Sequence, residues 1–475
     1  MHNTKPKLPA LRLAATLSAG LLLGGCAVGP DYLRPSFWFP EAPKEAVAEA
    51  HAEAPINPQW WTLFGDPALD QLEAQAVDAN QDLQAAIARQ EVAEAAAREA
   101  GADVLPSVGL GANSGRSRSS GETFNGQKVG AATYNNQRIA ASLSYEIDLW
   151  GRVRRSTEAA RAEALASRFG RDALRLSLAG LVANEYLTLR SLDTQLEVTQ
   201  DTLSSREKSL AIVNARLEAG AASPLEQAQA ESARAAAQAQ SNQLKRQRTL
   251  SENQLGLLTG QPGLKIAAAG PAALPLPPVP PTGLPSALLE TRPDVRQAEE
   301  RLIAANARIG VAKAAYFPSI GLTGLYGSES AALSSLFSGP ATIWSAAIGL
   351  SMPIFDAGRT GARVDQASGA QKEALANYRK TLQTAFKEVS DALAGLREYA
   401  GEEEANAAQV KAARRALELA QTRYEAGYTA FIDVLDAQRT ANGAQLQYLV
   451  SRRNRLGAAV DLFKALGGGW QPSAS

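Results

Sequence analysis

Two stretches of strict alternation, far apart in the chain, constrain what it can fold into more than any other feature. Residues 138–149 place Ile139, Ala141, Leu143, Tyr145, Ile147 and Leu149 at every second position, with Arg138, Ala140, Ser142, Ser144, Glu146 and Asp148 between them. Residues 343–354 repeat the pattern, setting Trp344, Ala346, Ile348, Leu350, Met352 and Ile354 against Ser345, Ala347, Gly349, Ser351 and Pro353. A period of two is the mark of a strand with one apolar and one wet face. Each stretch ends in a glycine–arginine pair, Gly151-Arg152 and Gly358-Arg359, and each leads into a long proline-free tract with helical composition. The chain therefore reads as two copies of one unit.

Other positions carry the same repeat. Pro106-Ser107-Val108-Gly109-Leu110 matches Pro318-Ser319-Ile320-Gly321-Leu322 at an offset of 212. Leu143-Ser144 matches Leu350-Ser351, and Arg216-Leu217-Glu218-Ala219-Gly220 matches Arg423-Tyr424-Glu425-Ala426-Gly427, at an offset of 207. The difference falls in the hairpin loops. The resulting division is a first repeat over 68–282 (helix, β-hairpin 105–149, long helix, turn, helix, linker) and a second over 283–467 (helix, β-hairpin 316–354, long helix, turn, helix). Residues 468–475 form a tail. The tract after residue 153 is about 67 residues without proline, about 100 Å if wholly helical, longer than globular domains need. A single helix is expected from residue 68 to about 103.

Residues 1–25 carry Lys5, Lys7 and Arg12 before the apolar run 13–23, a signal peptide too short to span a membrane. Leu23-Gly24-Gly25-Cys26 fits a lipoprotein box, with Cys26 as the acylated residue and 26–67 as a lipidated tether. Two or more acyl chains make a stable anchor where one is marginal. Cys26 is the one cysteine and there are two histidines, His2 and His51, so a Cys/His metal cluster, a disulfide framework and a Cys–His nucleophile are excluded. Lys+Arg and Asp+Glu both number 48, which gives no electrostatic draw toward nucleic acid. Neither catalysis nor a cofactor is expected. Trp60, Trp61 and Phe64 read as an aromatic cluster packing the start of a domain.

A bilayer tolerates no unpaired strand edge. Four strands per chain are too few to close, since even eight leave an interior that side chains fill. Association with further copies follows, with the small and polar strand faces lining water. The long Ala-rich helices suit close-packed coiled coils continuing such a barrel as a tube.

The lipobox followed by Gly29-Pro30-Asp31-Tyr32, the Trp60-Trp61…Phe64…Asp66-Pro67 cluster, the two hairpin–helix repeats, Leu435-Asp436-Ala437-Gln438-Arg439 and 464–470 together resemble the outer-membrane factor (TolC-like) efflux family, in its lipoprotein subfamily typified by OprM and NodT. The resemblance implies a mixed α/β membrane protein: a trimeric β-barrel with four strands per chain, continued by a long α-helical coiled-coil barrel. It implies an outer-membrane, lipid-anchored duct reaching into the periplasm, with a periplasmic adaptor and an inner-membrane pump of the RND type as partners. It also places a periplasmic gate at the second-repeat turn. Tyr428, Ile432 and Asp436, at i, i+4 and i+8, would face the tube axis from one helical face, the first two as apolar constrictions and Asp436 as a carboxylate ring attracting cations. Arg423 is the candidate latch. Gly220 and Gly427 mark adaptor-docking tips, and Tyr145, Tyr326 and Trp344 are candidates for a membrane girdle. The alternative reading makes Ile432 coiled-coil packing and Asp436 a solvated face or a cap. At the level of function the alternatives are a type I protein-secretion duct and a non-conducting coiled-coil lipoprotein spacer.

Overall fold

The computed structural model describes residues 27–36, 58–120, 131–268 and 292–469. Cys26, the signal peptide, most of the tether and the linker around residue 280 lie outside them. The described chain falls into two compact units. The first holds residues up to 36, 89–167 and 298–378; the second holds 37–88, 168–297 and 379 onward.

The elements are α1 (Pro67–Ala79), α2 (Gln81–Ala102), β1 (Ser107–Arg118), β2 (Thr133–Glu146), α3 (Arg152–Glu218), α4 (Pro224–Leu258), α5 (Pro293–Ala314), β3 (Ser319–Ser330), β4 (Thr342–Ser351), α6 (Arg359–Glu425) and α7 (Phe431–Ala465). Helices α3 and α6 are each 67 residues long, and α4 and α7 each 35. No described helix is long and apolar enough to cross a membrane.

In the first unit the strands form one antiparallel sheet in the order β1-β2-β3-β4. Register makes the two faces explicit, because directly opposed residues share a face. Leu110 pairs with Ala141, Ala141 with Tyr326, and Tyr326 with Trp344. Val108, Leu143, Leu322, Ile348 and Leu350 lie on this same apolar face, where Leu110 is 76 % and Trp344 74 % exposed. The other face carries Gly109, Gly111, Asn113, Ser142, Ser144, Thr323, Ser345 and Ser351. The outer edges of β1 and β4 pair with nothing among the described residues.

Both alternating stretches stop short of their sequence pattern. Strand β2 ends at Glu146 because the Asp148 carboxylate accepts the Arg154 backbone N–H at 2.9 Å and so caps the start of α3. Strand β4 ends at Ser351, two residues before Pro353, which has no N–H to donate. There Asp356 takes the capping role, accepting the backbone N–H groups of Gly358 and Thr360.

Residues 27–36 are irregular yet held along the first unit. The Val28 N–H donates to the Trp150 carbonyl at 2.9 Å, and Asn306 Nδ2 donates to the Pro30 carbonyl at 2.8 Å. Arg155 pairs with Asp31, and Arg34 grips Glu299 with two hydrogen bonds of 2.8 and 2.7 Å.

The second unit is organised around Trp60, fully buried and stacked on Phe463 at 5.4 Å, with Phe64, Leu69, Tyr186, Leu189, Leu255 and Val460 packed around it. Asp66 opens α1 by accepting the Ala68 N–H at 2.9 Å and also accepts the Tyr186 hydroxyl. The single helix expected from residue 68 is two. Asn80 adopts an extended ψ of 122°, its side chain accepts the Leu83 N–H at 3.0 Å, and its amide donates to the Leu258 carbonyl at 3.0 Å. An asparagine competes with the backbone for such bonds, and here it wins.

Candidate functional site

The sequence motifs point to two places, one in each unit. In the second unit these are the turns closing the two long helices. Just past the end of helix α3 stands Gly220, with φ +73°, and just past the end of α6 stands Gly427, with φ +78°. Each end closes the same way. The N–H of Ala221 reaches the Arg216 carbonyl (2.7 Å) and that of Gly220 the Leu217 carbonyl (2.9 Å); Tyr428 reaches Arg423 (2.8 Å) and Gly427 reaches Tyr424 (3.0 Å). This pair of hydrogen bonds to the last turn requires the left-handed conformation at its centre, which glycine adopts freely. No atom lies within 4 Å of a Cβ built on Gly427, so Gly427→Ala should act through backbone strain alone. The expected loss is about 1 kcal/mol, read as a lower denaturation midpoint with unchanged helix content.

After the turns, α4 begins with a capping box, Ser223 accepting from Glu226 N–H and Glu226 answering at the Ser223 N–H, with Pro224 in the first turn. Helix α7 begins at Phe431. The expectation that Tyr428, Ile432 and Asp436 share one helical face is therefore corrected for Tyr428. It lies in the turn, past the glycine that ends α6, and it is 77 % exposed. Ile432 and Asp436 do share a face, the exposed one, while Phe431, Val434 and Leu435 are buried on the other. The Asp436 carboxylate pairs with Arg439 at 3.0 Å.

Arg423 is exposed, and its guanidinium has no partner among the described residues. The arginine at the matching place in the first half, Arg216, is the one engaged across the halves. Its Nη1 donates to the Tyr424 hydroxyl at 2.7 Å, with the guanidinium 5.3 Å from that ring's centre. Tyr424 in turn sits 5.5 Å from the Phe431 ring. Beneath them Val213, Ala230, Phe431 and Leu435 form a small apolar core. The aligned Arg216 and Arg423 were the available signal, but a repeat does not say which copy makes a contact.

In the first unit the three aromatic candidates all lie on the apolar sheet face. Tyr326 is directly opposite Trp344, and Tyr145 is opposite Leu322. The acylation candidate Cys26 lies outside the described residues, immediately before the pinned segment 27–36. No group of three or more His, Cys, Asp or Glu residues among the described ones is placed to hold a metal ion.

A family model described as outer membrane efflux protein matches residues 72–261 and 284–468. The outer membrane protein OprJ of Pseudomonas aeruginosa is 37% identical over 470 residues, covering 98% of both chains. A toluene efflux pump outer membrane protein of Pseudomonas putida, TtgF, is 35% identical over 476 residues, covering 97% of each. Among solved structures, the Campylobacter jejuni CmeC outer membrane channel superposes with a TM-score of 0.88 at 27% identity, over 95% of this chain and 96% of that one. With its four-stranded antiparallel sheet and paired long helices, this chain has the TolC-like α/β fold and belongs to the outer membrane efflux protein family.

Proposed function

We propose that the protein is the outer-membrane channel of a tripartite efflux system, a passive exit duct for drugs or other small molecules. The observation that carries this reading is the two-faced sheet with both edges bare. Its apolar face suits lipid and its glycine- and serine-rich face suits water. Three copies supply twelve strands and close the barrel, with no edge left in the bilayer. The equal lengths of α3 and α6, and of α4 and α7, support two repeats, over 68–282 and 283–467. In a trimer these helices continue the barrel as a coiled-coil tube through the periplasm.

Energy and cargo selection belong to partners: a periplasmic adaptor seated on the tips at Gly220 and Gly427, and an inner-membrane pump of RND type. The name of the toluene-pump relative supports a cargo of small apolar molecules over secreted protein. Cys26 carries the acyl anchor. Its neighbours are pinned beside Trp150, just past the end of β2, which would hold the anchor at the membrane boundary. Tyr145, Tyr326 and Trp344 join a girdle on the lipid face. Ile432 and Asp436 constrict the periplasmic end of the tube, with Tyr428 and Arg423 in the adjoining turn.

Purified protein in a planar bilayer tests this reading. Discrete ion-conducting steps from a trimer of defined mass are expected. A trimer that inserts and passes no current would leave the coiled-coil spacer in its place.

A further inference from the structure

The sheet's internal pairing supplies a rule for its bare edges. Strands β2 and β3 come from different repeats, and their junction is the one place where the chain shows how one repeat's second strand meets another repeat's first. There Tyr145 opposes Leu322, Ser144 opposes Thr323 and Ala140 opposes Gly327. The Ile147 N–H donates to the Ile320 carbonyl at 2.8 Å, which makes the apolar-face pairs the hydrogen-bonded ones. The small-residue face then carries the alternate, closer pairs. At one of them a Cβ on Gly327 would lie 2.5 Å from Ala140 Cα, so only glycine fits.

Resting on the closed-barrel reading above, we infer that β4 of one copy pairs with β1 of the next in the register obtained by carrying the β2–β3 junction forward by the repeat offsets. Moving β2 by 207 and β3 back by 212 sets Met352 opposite Leu110, Ser351 opposite Gly111, Leu350 opposite Ala112 and Gly349 opposite Asn113. The register keeps the two faces in phase, and one further feature of the sequence agrees with it that was not used to build it. Every pair keeps apolar-face residues with apolar-face residues, which a slip of one residue would destroy. The tight glycine–alanine pair also reappears, because Gly327 maps to Gly115 and Ala140 to Ala347. The same rule sets Ile354, 98 % exposed within one chain, opposite Val108, 71 % exposed, just as Ile147 opposes Ile320. Both would be covered at the junction between copies.

Disulfide trapping tests the register. The matched pairs are Gly111→Cys with Ser351→Cys, and Asn113→Cys with Gly349→Cys. Both lie on the face of the closer pairs, with Cα atoms about 4.5 Å apart. Cβ atoms built on Gly111 and Gly349 meet no atom within 4 Å, so neither substitution crowds the chain's own fold. The same four positions supply slipped controls, Gly111→Cys with Gly349→Cys and Asn113→Cys with Ser351→Cys, whose diagonal spacing of about 7–8 Å is beyond disulfide reach. Non-reducing gels of the full-length protein in membranes should show at least about tenfold more covalent dimer and trimer from the matched pairs than from the slipped ones. Preferential cross-linking of a slipped pair would overturn the register while leaving the barrel. No cross-link from any pair, with trimers intact by light scattering, would overturn edge-to-edge pairing of these strands. A wild type that forms no trimer would remove the barrel reading, and the register with it.

Discussion

Replacing Glu73 with leucine is expected to stabilise the protein by about 3 kcal/mol per chain at pH 7, and by progressively less as the pH is lowered toward 5. Glu73 lies on α1 in the core of the second unit, 1 % exposed, and neither carboxylate oxygen has a hydrogen-bond partner among the described residues. Desolvation, with the nearby Asp70 charge adding to it, pushes its pKa up to about 9 from an ordinary 4.5. The folded chain therefore holds a proton that the unfolded chain releases. Between those two values the folded state binds more protons, so stability is greatest below about pH 4.5 and falls as the pH rises toward 9. The slope is about 1.4 kcal/mol per pH unit for this one group. Leucine has nearly the same volume and no proton to hold, so it removes both the slope and the unpaired polar atoms. Glutamine removes the slope but keeps a buried amide, and should gain less. The measurement is the denaturation midpoint of detergent-solubilised wild type, Glu73→Leu and Glu73→Gln at pH 5 and pH 8. Equal pH shifts in all three would mean that Glu73 is ionised in the folded chain.

A group like Glu73 is invisible in the sequence. It stands among Asp70, Gln71 and Gln75 in a stretch that reads as an ordinary solvated helix, and only the packing of α1 shows which acid is turned inward. What the sequence does expose follows from short-range geometry. Alternation along a strand is itself the assignment of faces, so residues 139, 141, 143 and 145 could be placed on the apolar face before any pairing was known. Helix length is similarly legible where proline is absent. Stops written in capping chemistry are harder to read. Asn80, Asp148 and Asp356 look like residues that continue a helix or strand, and each instead bonds the backbone and redirects the chain. The Tyr428 error has the same source, since a spacing of i, i+4 and i+8 was carried back ahead of Phe431, into the turn where helical periodicity has not yet begun. Contacts between distant segments, such as Arg216 with Tyr424 or Arg34 with Glu299, leave no local trace at all.

The double substitution Ile432→Ala with Asp436→Ala is expected to raise single-channel conductance several-fold over the wild type, with little loss of stability. Both side chains lie on the exposed face of α7, with Ile432 41 % exposed. They are not part of the apolar core of Val213, Ala230, Phe431 and Leu435 that holds the turns together. Removing them should widen a constriction without unpacking its walls. The two positions also separate by mechanism. Asp436 is paired with Arg439 on its own helix, so in a trimeric ring the carboxylate acts on ions only as far as that pair leaves it free. Asp436→Ala alone should mainly reduce cation preference, an effect that fades as salt screens the ring. Ile432→Ala alone should mainly raise conductance, through width. Arg216→Ala supplies the contrasting case, because it releases the Tyr424 hydroxyl and loosens the core from behind; it should give flickering openings rather than a steady increase. Planar-bilayer recordings at low and high salt distinguish these outcomes. Equal conductance and equal ion preference in wild type and double variant would place the narrowest point of the duct elsewhere and leave Ile432 and Asp436 as an ordinary solvated helix face.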